Sequence, residues 1–185
     1  MKRSSIASSR WIENLCQYRL LQAGGTDLNL YMPVTLRPAT PDDEAFLLEV
    51  YSSTRADEMA RVPWTDAQRE AFLKMQFEAQ QLHYRTHNPT ATHDIILQDN
   101  RPIGRLYVAR REQEIRIMDI TLLPAHRNQG IGTPLIKELM AEAEAAGKPL
   151  TIWVESFNPS LRLFERLGFS QVETDGINCL MERRA

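Results

Sequence analysis

The stretch Leu123-Pro124-Ala125-His126-Arg127-Asn128-Gln129-Gly130-Ile131-Gly132-Thr133-Pro134-Leu135-Ile136 constrains this chain more than any other. It sets an arginine-and-glycine turn between two patterned segments. Before it, Ile115, Ile117, Ile120, Leu122 and Leu123 read as an apolar strand; after it, Leu135, Ile136, Leu139, Met140 and Ala143 recur at helical spacing. A turn that opens a helix leaves several backbone N–H groups without intrahelical acceptors, all pointing one way. Together with the positive end of the helix dipole, those donors suit an anion such as a pyrophosphate. Gly130 and Gly132 allow backbone to approach the anion closely, and Arg127 adds a fixed charge at the edge.

Two phosphate-binding patterns fail here. A Walker loop needs Lys-Ser/Thr after its last glycine, but Gly132 is followed by Thr133-Pro134. A dinucleotide fingerprint needs a third glycine where Leu135 stands. An ordinary glycine-rich strand-to-helix turn would carry the same residues. Arg127-Asn128-Gln129-Gly130-Ile131-Gly132, however, closely resembles the Arg/Gln-x-x-Gly-x-Gly/Ala turn of the GCN5-related N-acetyltransferase (GNAT) family. Downstream, Leu150-Thr151-Ile152-Trp153-Val154-Glu155 reads as a buried strand and leads to Asn158-Pro159-Ser160-Leu161-Arg162-Leu163-Phe164-Glu165-Arg166-Leu167-Gly168-Phe169. Asn158 is placed to cap a helix, Pro159 to occupy its first position and Gly168 to end it. That segment resembles the family's second motif, and the two come in the family's order.

The resemblance covers residues 33 to 182 in outline and is specific from Asp119 to Phe169. It implies an α/β (α+β) fold, a mixed, mostly antiparallel sheet with helices on both faces. It implies acetyl-CoA as co-substrate, no metal, and transfer of acetyl to an amine on a small molecule or peptide. The cofactor would be held by Leu122 and Leu123 through main chain, by Arg127, Asn128, Gln129, Gly130, Ile131, Gly132 and Thr133 at the turn, and by Asn158, Ser160 and Phe164 in the second motif. An amine of lysine type, with a pKa of about 10.4, must lose a proton before it attacks. Asp119, interrupting the apolar strand, is the first candidate base and Glu114 the second; Asp119 could equally be a solvent-facing or hydrogen-bonded core carboxylate. Asn158 could contact the pantetheine arm or a catalytic water. Where relatives commonly carry a tyrosine that protonates the leaving thiolate, this chain has Phe164, leaving water, Ser160 or Tyr107. The substitution keeps open a second class, a non-catalytic acyl-CoA-binding or partner-binding module. Relatives often pair through their sheets, so a homodimer is expected.

The rest of the chain fits one catalytic domain. Its 185 residues can bury a core, and a net charge of −2 gives no electrostatic case for nucleic acid. No apolar run reaches the ~20 residues that span a membrane. Cys16 and Cys179 lack metal-ligand spacing and read as reduced thiols of a cytoplasmic protein. His83 and His87, four apart before a helix stop and with no carboxylate motif following, resemble a metal pair only superficially. Residues 1–31 read as an appended leader and 32–185 as the domain. Thr40-Pro41-Asp42-Asp43 and Thr65-Asp66-Ala67-Gln68 read as starts of two helices, the second with Phe72, Met75, Phe77 and Leu82 as its apolar face. Asp99-Asn100 reads as a hairpin turn, and final strands are expected near 170–174 and 177–183. The acceptor cleft would be walled by residues 52–84, which include Arg55, Asp57, Glu58, Arg61, Trp64 and Glu78.

Overall fold

Asp99 and Asn100 both take positive φ, 51° and 61°, the conformation that a two-residue hairpin turn needs to match strand twist. They join β2 (Thr92–Gln98) to β3 (Arg101–Arg110) in a computed structural model that describes residues 34–184. The leader expected over residues 1–31 lies outside the described residues. Around this hairpin the sheet adds β1 (Val34–Pro38), β4 (Ile115–Leu122), β5 (Leu150–Glu155), β6 (Ser170–Thr174) and β7 (Asn178–Arg183), in the order β1-β2-β3-β4-β5-β7-β6. Every neighbouring pair is antiparallel except β4 and β5.

Two helices cover each face. On one face lie α1 (Glu44–Ala60) and α2 (Asp66–His87), packed through Leu47, Tyr51, Phe77 and Ile95. On the other lie α3 (Gly132–Ala145) and the short α4 (Leu161–Arg166), with Leu135, Ile136, Leu139 and Phe164 buried against Ile115, Ile117, Ile152 and Val154. This is the mixed sheet with helices on both faces that the sequence implied. Both expected helix starts are capping boxes: Thr40 N donates to Asp43 at 2.8 Å, and Thr65 N donates to Gln68 at 2.9 Å. Asp43 also receives two bonds from Arg37, at 2.6 and 2.7 Å, which hold its carboxyl far below the ordinary range.

The apolar face expected for α2 is corrected. Met75 and Leu82 are 57% and 65% exposed, whereas the inward side carries Leu73, Phe77, Gln80, Gln81 and Tyr84. Phe77 is buried as expected, but Gln80, Gln81 and Tyr84 make much of the stripe polar because it faces the buried polar groups of β3 and β4, so hydrophobic spacing finds the inward face only in part.

Gly104 lets β3 and β4 come together. A Cβ there would stand 2.3 Å from the Thr121 carbonyl oxygen and 2.8 Å from Leu122 Cδ2. The first of these is backbone in mid-sheet and cannot swing away. Gly104→Ala is therefore expected to destabilise the fold by about 2–3 kcal/mol through overpacking, read as a lower urea midpoint at unchanged slope.

Candidate active site

The site begins where β4 and β5 part. They pair only through Ile115–Ile117 and Leu150–Ile152, although β4 runs on to Leu122 and β5 to Glu155. A bulge sets the parting point: Tyr107 faces Asp119 and Val108 faces Ile117, so Met118 is the extra residue. Its carbonyl accepts from Tyr84 Oη at 3.3 Å, which ties α2 to the bulge.

Beyond the bulge, the ladder to β3 decides which main-chain groups are free. Leu123 N donates to Ile103 O at 2.8 Å, so by antiparallel alternation Thr121 and Asp119 also bond toward β3. Ile120 and Leu122 consequently turn their N–H and C=O groups toward the gap. Of the two residues expected to hold a ligand by main chain, Leu122 is placed to do so. Leu123 is not, since its N–H is spent on β3. Ile120 takes its place, and the three-residue step from Ile117 to Ile120 is the sequence sign of the bulge that reverses the alternation.

Above the gap, the turn from Arg127 to Ile131 delivers the chain to α3. Asn128 and Gly130 take positive φ, 59° and 78°. Among the described residues, no hydrogen bond is made by the backbone N–H groups of Asn128, Gln129, Gly130, Ile131, Gly132 or Thr133 to any group outside α3. Pro134, the next residue, has no N–H to satisfy. A Cβ on Gly130 or Gly132 would meet nothing within 4 Å. Unpaired amides beside open space at a helix start are what a phosphate group requires. Gln129 Nε2 braces the turn by donating to Ala125 O at 2.6 Å. Arg127 is occupied differently from the expectation: its Nε donates to Leu122 O at 2.8 Å and its Nη2 to Ser53 Oγ at 3.0 Å, joining the end of β4 to α1. His126 pairs with Gln98 at 3.1 Å.

The second motif is arranged around α4. The helix starts at Leu161, with Ser160 in the cap position, two residues later than expected. Asn158 Oδ1 accepts from Ser160 N at 3.0 Å and so shapes the turn leading in. Gly168, at φ 86°, ends the helix with Phe169 N bonded to Phe164 O. Phe164 is only 2% exposed and lies edge-on to Phe169 at 5.3 Å, which makes it a core side chain.

The two candidate carboxylates separate clearly. Asp119 lies at the bulge on the face covered by α1 and α2. Arg105 Nη2 donates to its Oδ2 at 2.6 Å and Thr121 Oγ1 to its Oδ1 at 2.7 Å. Arg105 is 2% exposed, bonds Gln80 at 3.0 Å, and keeps its Nε and Nη1 without partners. Glu114 stands just before β4, at the closed end, on the order of 15 Å of extended strand from Asp119. It accepts from Thr151 at 2.6 Å, Arg111 at 2.8 Å and Arg116 at 3.0 Å. Burial pushes its carboxyl up, but the Thr151 bond and the Arg116 charge outweigh that and leave it lowered. Glu114 is thus an ion-pair anchor away from the opening.

Three residues of this site escape the sequence reading: Arg105, Tyr84 and Glu155. Arg55 lies 3.7 Å from Glu155 and 3.6 Å from Glu58, with its guanidinium 5.7 Å from the Tyr51 ring. Burial, with the nearby Asp119 charge, pushes the Tyr84 hydroxyl up to about 12. It is therefore a hydrogen-bond donor, and proton transfer from it to a thiolate of pKa about 8.5 is uphill by roughly three units.

The model of the acetyltransferase (GNAT) family matches residues 49–169, which include the turn, the parted strands and the second motif. The chain belongs to the GNAT family. Mycothiol acetyltransferase of Clavibacter michiganensis subsp. michiganensis is 38% identical over 64 residues, and that of Clavibacter sepedonicus 34% over 64. Each match covers 35% of this chain and only 20% of the relative. The PaiA N-acetyltransferase of Thermoplasma acidophilum, solved in complex with coenzyme A, superposes with a TM-score of 0.65 over 83% of this chain and 100% of its own, at 18% identity. An acetyltransferase of Thermus thermophilus gives 0.60 over 83% and 98%, at 17% identity. At such identities these two solved structures speak for the fold. Among the described residues, no helix is long and apolar enough to cross a membrane and no cluster of metal-ligating side chains occurs.

His93 gives the fold a pH signature. Burial first, then the Arg105 charge, push its pKa down to about 4. Above about pH 6.5, the unfolded value, the ring is neutral in both states. Between 6.5 and 4 only the unfolded chain takes the proton, so stability falls with pH across that window. The loss is expected to be about 1–2 kcal/mol, discounted for the part of the ring that remains solvated. Melting of His93→Gln over the same range should show a flatter profile.

Proposed function

We propose that the chain is an acetyl-CoA-dependent N-acetyltransferase in which an acceptor amine attacks the thioester directly. The observation that carries this reading is the parting of β4 from β5 together with six unpaired amides in the turn that leads from β4 to α3. The turn at 128–133 fits a pyrophosphate, and the Ile120 main chain together with the Leu122 N–H fits an extended pantetheine arm, the Leu122 carbonyl being held by Arg127. Acetyl-CoA supplies the activated acetyl group and a thiolate leaving group, whose thiol pKa of about 8.5 makes departure tolerable without a dedicated acid.

The chain's own residues supply orientation and charge. An N–H at Ile120 or Leu122 is placed to donate to the thioester carbonyl as its oxygen gains charge. Asp119 is the carboxylate at the opening. Each of its oxygens already has one donor, and an ionised carboxylate accepts about four, so it keeps capacity for an ammonium or an aligned water. That capacity suits Asp119 to align the acceptor and to pass a proton through water.

The acceptor enters from the α1–α2 side, where Arg55, Glu58 and Glu155 present both signs of charge. An amine panel spanning polyamines, amino acids, aminoglycosides and peptide N-termini should reveal one class that drives release of free thiol from acetyl-CoA. Phe164, which offers no proton, favours a second reading, an acyl-CoA-binding module. Tight acetyl-CoA binding with no thiol release across the panel would select it.

A further inference from the structure

A second cavity lies on the flank of α2 turned away from the parted strands. It has a volume of about 570 Å³, between the Thr40–Pro41 turn, α1, the C-terminal half of α2 and the edge of β2 and β3. Phe77, Gln81 and Arg85, four residues apart, line it from one stripe of α2. Gln80 and Tyr84, one position back, reach instead to Arg105 and Met118. His93 and Tyr107, their rings tilted to each other with centroids 4.6 Å apart, contribute to its wall, and Tyr84 packs against Tyr107 at 5.1 Å. That aromatic layer and α2 separate the cavity from the opening beside β4.

The wall contains two unanswered polar atoms. Gln81 is only 8% exposed, yet its Nε2 has no acceptor, and His93 Nε2 has no partner. Both atoms are shielded from solvent, so a ligand in the cavity meets the Gln81 amide once that side chain turns outward; an unpaired buried amide costs about 1–3 kcal/mol, which that turn onto an acceptor would recover. Charge is distributed unevenly around these atoms. Arg85 spends its Nε on Gln81 O, at 3.2 Å, and among the described residues its two Nη groups make no bond. Glu78 lies seven residues before it on the same helix, about 10 Å away along the axis. Glu44 adds a second carboxylate from α1.

We propose that this cavity binds a short zwitterionic peptide, its carboxylate against Arg85 and Gln81 and its ammonium against Glu78. An extended tripeptide spans about 10 Å, which matches the separation of the charges. The apolar walls, Leu47, Phe77 and Tyr107, accommodate its middle.

Triglycine titrated calorimetrically into the full chain tests this without any acyl transfer, so the result is separate from the acetyltransferase reading. Binding at roughly millimolar affinity or tighter is expected. Triglycine amide and N-acetyl-triglycine should each bind at least about tenfold more weakly, since each lacks one charge. Gln81→Leu and Arg85→Met should weaken triglycine by a similar factor and leave acetyl-CoA binding unchanged. Glu78 is exposed, so Glu78→Gln is a substitution the fold tolerates; it should weaken triglycine yet leave N-acetyl-triglycine unaffected. Absence of triglycine binding at about 10 mM would overturn the proposal, as would binding indifferent to both end-blocks or to all three substitutions.

Discussion

Titrated with acetyl-CoA at one fixed salt concentration, the wild-type chain is expected to bind, and a Gly130→Asp/Gly132→Asp variant to lose at least about a hundredfold in affinity. The amides of residues 128–133 are unpaired, and the space beside both glycines is open. Two carboxylates there would replace a field that attracts phosphate with one that repels it. A single charge pair at about 5 Å, with an effective dielectric near 20, is worth roughly 3 kcal/mol, already more than a hundredfold. The fold should tolerate the Gly132 change, whose Cβ meets nothing, while Gly130 at φ 78° adds about 1–2 kcal/mol of backbone strain. A melting curve therefore accompanies the titration. Gly132→Ala alone, which adds neither charge nor a clash, should bind nearly as wild type. Lack of wild-type binding would remove the acetyl-CoA reading; full binding by the double variant would move the pyrophosphate away from this turn.

The second large effect concerns Arg105 and Asp119. Arg105 is enclosed between α2, Tyr51 and β4, and among the described residues its one carboxylate partner is Asp119 at 2.6 Å. Removing either partner leaves a charge in a poorly solvated place, so Arg105→Met alone is expected to cost about 3–5 kcal/mol. Asp119→Leu should cost somewhat less, because its side chain keeps 14% exposure. The double variant should recover much of the loss, as when an ion pair is exchanged for apolar packing. Denaturant unfolding of the four proteins reads the coupling. Asp119→Asn keeps the shape and removes the charge; it should lower kcat at least about tenfold with acetyl-CoA affinity unchanged. An unchanged kcat would make Asp119 a purely structural partner of Arg105.

Much of the architecture is legible in the sequence because it rests on local rules. Thr40 with Asp43 and Thr65 with Gln68 are capping boxes set by four consecutive residues. Asp99-Asn100 is a hairpin because both residues tolerate positive φ. The turn at 127–132 reads as an anion cradle because helix starts always leave amides free. Where the site borrows from distant strands, local reading fails. Leu123 looks like a ligand contact because nothing in its neighbourhood shows that Ile103 claims its N–H. The bond from Arg127 to Ser53, which joins the end of β4 to α1, is likewise invisible in sequence. The inward stripe of α2 is hidden for a subtler reason: Gln80, Gln81 and Tyr84 face a polar interior, so the functional face looks like a solvated one.

Sequence by itself determined the order of strands and helices, the glycine turn that opens α3 and the family motif, since each depends on residues close together in the chain. Only the tertiary structure decided which carboxylate lies at the opening. Glu114 and Asp119 share one strand region, yet the bulge at Met118 and the parting from β5 put the second at the gap and leave the first clamped by Thr151 and two arginines. The physical reason is that strand register and the burial of Arg105 are long-range properties, fixed by what the whole sheet and its two helices pack against.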